Sequence, residues 1–316
     1  MNLEDIVDKV DVLLSVYDPD LEFLREQLMS INGQTYPDIE VFVYDDCVQK
    51  RTDRDFFYKY ITKYPISFIP YSDKNIGYIK AFEKLTAASN GEYVAFCDQD
   101  DVWHRDKISR CVERIKVEKS LVVASNQRII DENGDVVSDG AENKNMDDDY
   151  PWSCKDKKFL ENAIVTSAPG MALVADGKFA RATVPFSAHT GHDKWILSCG
   201  AVEGSVSYIK EPLVDYRRHG NNTSGILIGV DSKKEYYDTR VSEQKKFVGD
   251  LIEKYGEFAN KDTLINLFDS RTSPRFFRLK KFYGLAPKVI GFEMVLSVTP
   301  NFLFKLIKKC ISKMVR

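Results

Sequence analysis

Asp98, Asp100 and Asp101 follow directly on the apolar run Tyr93–Cys97, with Gln99 between the first two. Carboxylates two residues apart on a turning backbone can face one ligand together. Hard oxygen ligands of this kind suit Mg2+ or Mn2+, which keep open positions for phosphate oxygens. A cation there would neutralise charge developing on a diphosphate leaving group. Acidic pairs are common in loops, and each acid has a bland alternative as a solvated carboxylate or, for Asp101, a helix cap. What makes the group informative is its place at the end of an apolar strand, followed by Val102-Trp103.

The elements that must position these acids alternate. Apolar, β-branched runs predict strands at Val10–Val16, 39–44, 66–70, Tyr93–Cys97 and 121–125. Between them, Leu21, Leu24, Leu28 and Ile31 recur at helical spacing behind Asp20 as a cap. Further helices are expected over 52–63, 77–89 (Ile79, Phe82 and Leu85 on one face) and 105–118. Strands alternating with helices predict an α/β fold, a mostly parallel sheet with helices on both faces. Ligands of such sheets bind beyond the carboxyl ends of the strands. Three of those ends carry acids: Asp18, Asp45 with Asp46, and Asp98 with Asp100 and Asp101.

After residue 125 the rhythm changes. A hairpin is expected over 128–137, turning at Asn133-Gly134. An acidic mobile loop is expected over 139–150, a strand over 170–175 and a short helix from His192 to Cys199. Strands follow at 206–209 and 213–216, then a polar-faced helix over 232–256.

The ordered set of short motifs resembles glycosyltransferase family 2, with its GT-A fold. The matching pieces are Ser15-Val16-Tyr17-Asp18, Gln34-Thr35-Tyr36-Pro37, Val43-Tyr44-Asp45-Asp46, Asn75-Ile76-Gly77 and Cys97-Asp98-Gln99-Asp100-Asp101-Val102-Trp103. Downstream come Gly191-His192-Asp193-Lys194-Trp195 and Tyr216-Arg217-Arg218-His219-Gly220-Asn221-Asn222. The likeness spans roughly residues 8–225 and implies roles residue by residue. Tyr17, Asp18 and Gln99 would border the donor, and Asp45 or Asp46 would contact its base. Asp73 and the Asn75-x-Gly77 turn would line the nucleotide. Asp98 would approach the ribose or the metal, Asp100 would hold metal and diphosphate, and His219 would reach the metal, with Arg217 or Arg218 near the donor. Asp193 resembles the family's catalytic base. His192, Trp195 and Trp103 would face the acceptor, against the alternative that the tryptophans only pack and that His192-Asp193 is simply a helix N-terminus. The second-strand motif departs from the family's usual Asp-Asp-Gly-Ser, reading Asp45-Asp46-Cys47-Val48. His-Asp-x-Trp resembles a rhamnosyltransferase-like branch.

The resemblance therefore implies an inverting, metal-dependent transferase acting in surface polysaccharide or glycan biosynthesis. Its donor would be dTDP-rhamnose or a UDP-hexose, and its acceptor a saccharide or lipid-linked glycan. A catalytically degenerate sugar-nucleotide-binding or assembly protein is the alternative. A phosphoryl- or nucleotidyl-transferring enzyme lacks support, since no GxxxxGK[ST] or GxGxxG pattern occurs.

Composition sets the outer bounds. The 316 residues are 43% hydrophobic and 29% charged, ordinary for a globular chain. The expected division is a catalytic domain over 1–228, with a nucleotide-sugar half at about 8–125 and an acceptor half at about 126–228, then a helical region over 229–316. The net charge of −3 hides an asymmetry: residues 275–316 carry ten Lys or Arg and one acid, Glu293, so that stretch is +9 and the remainder −12. Over 301–316 apolar and basic residues alternate as on an amphipathic helix, which would meet an anionic membrane surface or pack on the domain. The basic tail invites an anionic partner, and nucleic acid is not expected. Six scattered cysteines without a CxxC pair predict buried free thiols in a reducing compartment. The charged start MNLEDIVDKV predicts no signal peptide, hence a cytoplasmic protein, peripheral at the inner face of the plasma membrane.

Overall fold

A computed structural model describes residues 7–139, 151–219, 229–305 and 308. The chain divides into two compact units, 1–153 with 167–186 and 191–220, and 154–166 with 187–190 and 221–316. The acidic stretch 140–150, the motif residues Gly220, Asn221 and Asn222, and most of 301–316 lie outside the described residues.

The first unit is built on one sheet. In chain order its elements are β1 (Val10–Val16), α1 (Leu21–Asn32), β2 (Ile39–Asp45), α2 (Arg54–Tyr60), β3 (Ile66–Phe68), α3 (Tyr78–Ala88) and β4 (Tyr93–Cys97). Then come β5 (Val102–Trp103), α4 (Lys107–Glu118), β6 (Val122–Ile130) and β7 (Val136–Ser138). The second unit contributes α5 (Lys157–Ile164), after which the first resumes with β8 (Leu173–Asp176), α6 (Gly177–Ala182), α7 (His192–Glu203) and β9 (Val206–Arg217).

The strand order is β3-β2-β1-β4-β8-β6-β9-β5, with β7 on β6. β3, β2, β1 and β4 run parallel, as do β6 and β9, whereas β8 pairs antiparallel with both β4 and β6. Val10, Val12, Leu13, Leu14 and Val16 of β1 are all fully buried, as expected of a strand covered on both faces. Asp20 caps α1, its Oδ1 accepting from the Glu22 amide at 2.9 Å, and the helix buries Leu24, Leu28 and Ile31. The parallel half therefore follows the sequence reading closely.

Beyond it the structure corrects the reading in detail. The two short strands expected at 206–209 and 213–216 are one strand, β9. The interruption at Glu211-Pro212 is absorbed by register shifts against Ser125, Asn126 and Gln127 of β6. The strand expected over 170–175 begins instead as a 3-10 turn, Gly170–Ala172.

The second unit is helical: α5, then α8 (Lys233–Tyr236), a π-helical turn Tyr237–Ser242, α9 (Glu243–Tyr255), α10 (Lys261–Thr272), α11 (Phe276–Lys280) and α12 (Pro287–Val298). The sequence reading placed α5 in the acceptor half. It belongs with the helices instead, because Phe159 packs edge-on against Phe258 and Gln244 Nε2 donates to Ile164 O. The unit is organised around a buried ion pair. Arg271 grips Glu293 through Nε and Nη2 at 3.0 and 2.7 Å, and Tyr236 Oη donates to the same carboxylate at 2.9 Å. Cys47, Cys97, Cys111, Cys154 and Cys199 are buried free thiols. Among the described residues, no helix is long and apolar enough to cross a membrane.

Candidate active site

β4 delivers the acidic loop. Gln99 ties it to the end of β1: its Oε1 accepts from the Tyr17 amide at 2.7 Å and its Nε2 donates to Tyr17 O at 3.1 Å. Asp18, next along, has a positive φ of 40°. The other side of the loop is held by the end of β9. The antiparallel register Val102↔Asp215 and Trp103↔Val214 brings the residues after Asp215 alongside those before Val102. Accordingly the Arg217 amide donates to Asp101 Oδ1 at 3.0 Å and Arg217 Nε to Asp100 O at 3.0 Å. His219 Nε2 lies 2.8 Å from Asp100 Oδ2.

The carboxylates feel one another. Burial, then the charges of Asp100 and Asp193, push the Asp98 carboxyl up to about 7. Asp193 stands in the first turn of α7, its Oδ1 accepting from the Lys194 amide at 2.7 Å. Burial raises its pKa, and the Lys194 amide and ammonium oppose that rise. Asp98, Asp100, Asp193 and His219, drawn from three separate stretches, thus meet at one place.

Two glycines shape this corner. A Cβ on Gly191 would sit 2.4 Å from Asp193 Oδ1, and one on Gly170 would sit 2.2 Å from His192 Nε2. His192 itself is buried. It stacks on Phe82 with centroids 4.0 Å apart and lies near Phe96 at 5.3 Å, and neither ring nitrogen has a hydrogen-bond partner. Burial pulls its pKa down to about 3, so the imidazole is neutral. Trp195 is 2% exposed, with its indole N–H donated to Thr183 O at 3.0 Å. Trp103 is 3% exposed beneath the acidic loop, with Lys107 Nζ 3.9 Å from its ring centroid. None of these three side chains offers a ring face to solvent, so the acceptor contacts read for them are not carried forward.

The expected nucleotide-side acids are loop anchors. Asp45 Oδ1 accepts from the Cys47 amide at 2.9 Å and Oδ2 from the Thr52 amide at 2.7 Å. Asp46 accepts from the amides of Ile76 and Gly77 at 2.9 and 2.8 Å, which fastens the Asn75-x-Gly77 turn to the end of β2. Gly77 there has a φ of 78°, a conformation that favours glycine. Asp73, Asn75 and Arg218 are exposed. Arg217 is 1% exposed and fully engaged. Besides the bonds above, Nη1 donates to Asp131 O at 3.2 Å, Nη2 pairs with Glu26, and the guanidinium lies 4.5 Å from the Phe23 ring centroid.

Three residues escaped the sequence reading. Glu26, an ordinary helix-surface acid by pattern, is the partner of Arg217. Gly170 gave no signal beyond its type. Tyr78 follows Gly77 at the start of α3, is 57% exposed, and sets its ring edge-on to His192 at 6.2 Å. Burial and the charges of Asp193 and Asp98 raise its pKa, so it borders both carboxylates. Its place immediately after the Asn75-x-Gly77 turn was the available clue.

A largely parallel sheet with acids gathered at its strand ends defines a GT-A-type α/β protein. The family Glycosyl transferase family 2 matches residues 11–167. Over those residues, about half of its length, the chain resembles that family of glycosyltransferases. It is 26% identical over 298 residues to an uncharacterized glycosyltransferase of Nostoc sp., covering 90% of this chain and 88% of that one. It is also 26% identical over 225 residues to the dTDP-rhamnosyl transferase RfbG of Shigella flexneri, covering 67% and 73%. Among solved structures, S. aureus TarS 1–349 in complex with UDP-GlcNAc superimposes with a TM-score of 0.61 at 15% identity, over 89% of this chain and 82% of that one. The mannosyltransferase PcManGT of Pyrobaculum calidifontis, in complex with GDP-Man and Mn2+, gives 0.53 at 14% identity over 99% and 84%.

Proposed function

We propose that the protein transfers a sugar from a nucleoside-diphosphate donor to a glycan or lipid-linked acceptor by a single inverting displacement, in surface polysaccharide or glycan assembly. The observation that carries this is the meeting of Asp98, Asp100 and His219 with Asp193. Donor diphosphate and acceptor hydroxyl need opposite electrostatic treatment, and these residues divide along that line.

Asp193 takes the proton of the acceptor hydroxyl as its oxygen attacks the anomeric carbon. Its position on the first turn of α7, against the Lys194 amide, fixes the carboxylate in one orientation. Asp100 and His219, with Asp98, form the donor side. Among the described residues no group of three His, Cys, Asp or Glu forms a ready-made cation cage. Few protein ligands suit Mg2+ or Mn2+, whose remaining positions go to water and phosphate oxygens. The fit is supported by charge: burial, with the neighbouring charges of Asp100 and Asp193, lifts Asp98 to about 7, and a cation would favour its ionised form. Held by Asp100, with Asp98 and His219, a divalent cation would supply neutralisation of the leaving diphosphate. That PcManGT is in complex with GDP-Man and Mn2+ supports a divalent cation as the ion, without bearing on which residues hold it.

Asp46 holds the Asn75-x-Gly77 turn, and Gln99 holds Tyr17, so the donor's nucleotide end meets a fixed wall. For the donor we favour dTDP-rhamnose, on the His192-Asp193-x-Trp195 sequence and the likeness to RfbG, ahead of a UDP-hexose. The test is a panel of dTDP-, UDP- and GDP-sugars with Mn2+ or Mg2+, followed by NMR of the product anomer. Metal-dependent turnover of one donor with inversion is expected. Retention at the anomeric carbon, or turnover indifferent to chelation, would sink the mechanism.

A further inference from the structure

The second unit carries an exposed surface that holds none of the residues assigned above to the transfer reaction. Between residues 276 and 302 six large apolar side chains stand in solvent: Phe276 (38% exposed), Phe277 (81%), Tyr283 (48%), Val295 (49%), Val298 (67%) and Phe302 (80%). Scattered singly, such residues need no explanation. Six within so short a stretch mark an interaction surface.

The geometry of α12 groups several of them. At 100° per residue, Lys288, Gly291, Val295 and Val298 share one side of the helix. Tyr283 lies against that side, its ring 3.2 Å from where a Cβ on Gly291 would stand. The opposite side is committed to the core, where Ile290, Glu293 and Leu296 are buried.

Charge selects the partner. Arg275, Arg278, Lys280, Lys281, Lys288 and Lys305 are all exposed, and none has an ion-pair partner among the described residues. The sole acid of residues 275–316 is Glu293. It is fully buried and neutralised by Arg271, so none of this stretch's basic charge is screened by an exposed acid of its own. Aromatic and aliphatic side chains interspersed with unpaired cations are the chemistry of an anionic bilayer surface, where the rings enter the headgroup boundary and the ammonium groups meet lipid phosphates. A protein partner of ordinary composition would not call for so one-sided a charge.

We infer that α11, α12 and the turns at Tyr283 and Phe302 form a docking surface for anionic lipid membrane. The surface lies on described residues, and all of it but Phe302 and Lys305 precedes the tail at 301–316. The full chain should co-sediment with vesicles containing phosphatidylglycerol, weakly with pure phosphatidylcholine, and less as salt rises. The triple variant Phe277→Ser, Val298→Ser, Phe302→Ser should bind the anionic vesicles at least about tenfold more weakly. Arg278→Glu with Lys280→Glu and Lys281→Glu should do the same and lose the salt dependence. All six sites are exposed, so unchanged thermal unfolding serves as the control for folding. Equal binding to neutral and anionic vesicles would overturn the proposal, as would unchanged binding by both variants. Wild-type self-association that the serine variant abolishes, without vesicle binding, would overturn it in favour of a protein interface.

Discussion

His219 Nε2 lies 2.8 Å from Asp100 Oδ2, across 119 residues of sequence. The link is made by a two-residue strand: β5 pairs with β9 only through Val102↔Asp215 and Trp103↔Val214, and the chain on either side converges from there. On the proposed mechanism this histidine and carboxylate, beside Asp98 and Asp101, would exchange their mutual hydrogen bond for a shared cation. Asp100→Asn should therefore abolish Mn2+-dependent thermal stabilisation by dTDP or UDP. It should lower transfer by about 10²-fold or more, the scale on which electrostatic stabilisation of a leaving group operates. A variant still stabilised by Mn2+ with nucleotide would remove Asp100 from the metal role.

Asp193→Asn keeps shape and removes the carboxylate proposed as the base. Transfer is expected to fall by about 10²–10⁴-fold, with donor affinity by calorimetry near that of the parent. Equal losses in donor affinity and turnover would assign Asp193 to the donor instead.

Gly191 makes a sharper probe of the same residue, because it touches no substrate in this scheme. A Cβ there would stand 2.4 Å from Asp193 Oδ1, so Gly191→Ala must push the carboxylate off its seat at the Lys194 amide. The φ of Gly191 is −64°, which any residue adopts, so the backbone is not strained by the change. Turnover should drop at least about tenfold with thermal stability nearly unchanged, since small displacements of reacting groups are costly. Unaltered turnover would show that the seat does not matter.

The parallel half was legible because its signals are local. β1, β2 and β4 are apolar on both faces and end in acids, and Asp20 caps α1 as its position suggests. What escaped depended on partners distant in sequence. Nothing near Glu26 announces Arg217, and nothing near Gly170 announces His192. Asp45 and Asp46 stood out as acids at a strand end, but Asp46 bonds the Ile76 and Gly77 amides, which only the folded chain brings near, and Asp45 is taken up by the nearby Cys47 and Thr52 amides. Burial was equally hidden: Trp195 and Trp103 sit in motifs that invite a sugar-stacking role, and packing decided otherwise.

His192 gives a pH prediction. Its pKa in the folded protein is about 3 because burial among Phe82 and Phe96 penalises the charged ring, against about 6.5 when unfolded. Below pH 6.5 the unfolded chain therefore binds a proton that the folded chain refuses. Stability from this group is complete above pH 6.5 and is lost as pH falls towards 3, by up to about 1.4 kcal/mol per pH unit. His192→Phe should flatten that part of the profile in urea unfolding at successive pH values. A parent and variant that lose stability in parallel between pH 6 and 4 would contradict the assignment.

Arg217 separates architecture from donor binding. Sequence likeness suggests an arginine near the diphosphate, yet this guanidinium is 1% exposed and bonded to Asp100 O, Asp131 O and Glu26. It joins the acidic loop, the β6–β7 hairpin and α1. Arg217→Met should cost about 1–3 kcal/mol of stability, because it leaves the carbonyls of Asp100 and Asp131 without their donor. Glu26→Gln should cost less, because the glutamine amide oxygen can still accept from Arg217 Nη2 and the other Arg217 hydrogen bonds remain. Exposed Arg218 is free of that duty, so Arg218→Met should leave the urea midpoint in place while weakening donor binding if the diphosphate reaches it. The decisive comparison is urea midpoint against donor KM for the two arginine variants. An Arg217→Met protein of parental stability with a raised KM would return Arg217 to the donor site, because a clamp cannot be removed without loosening what it holds.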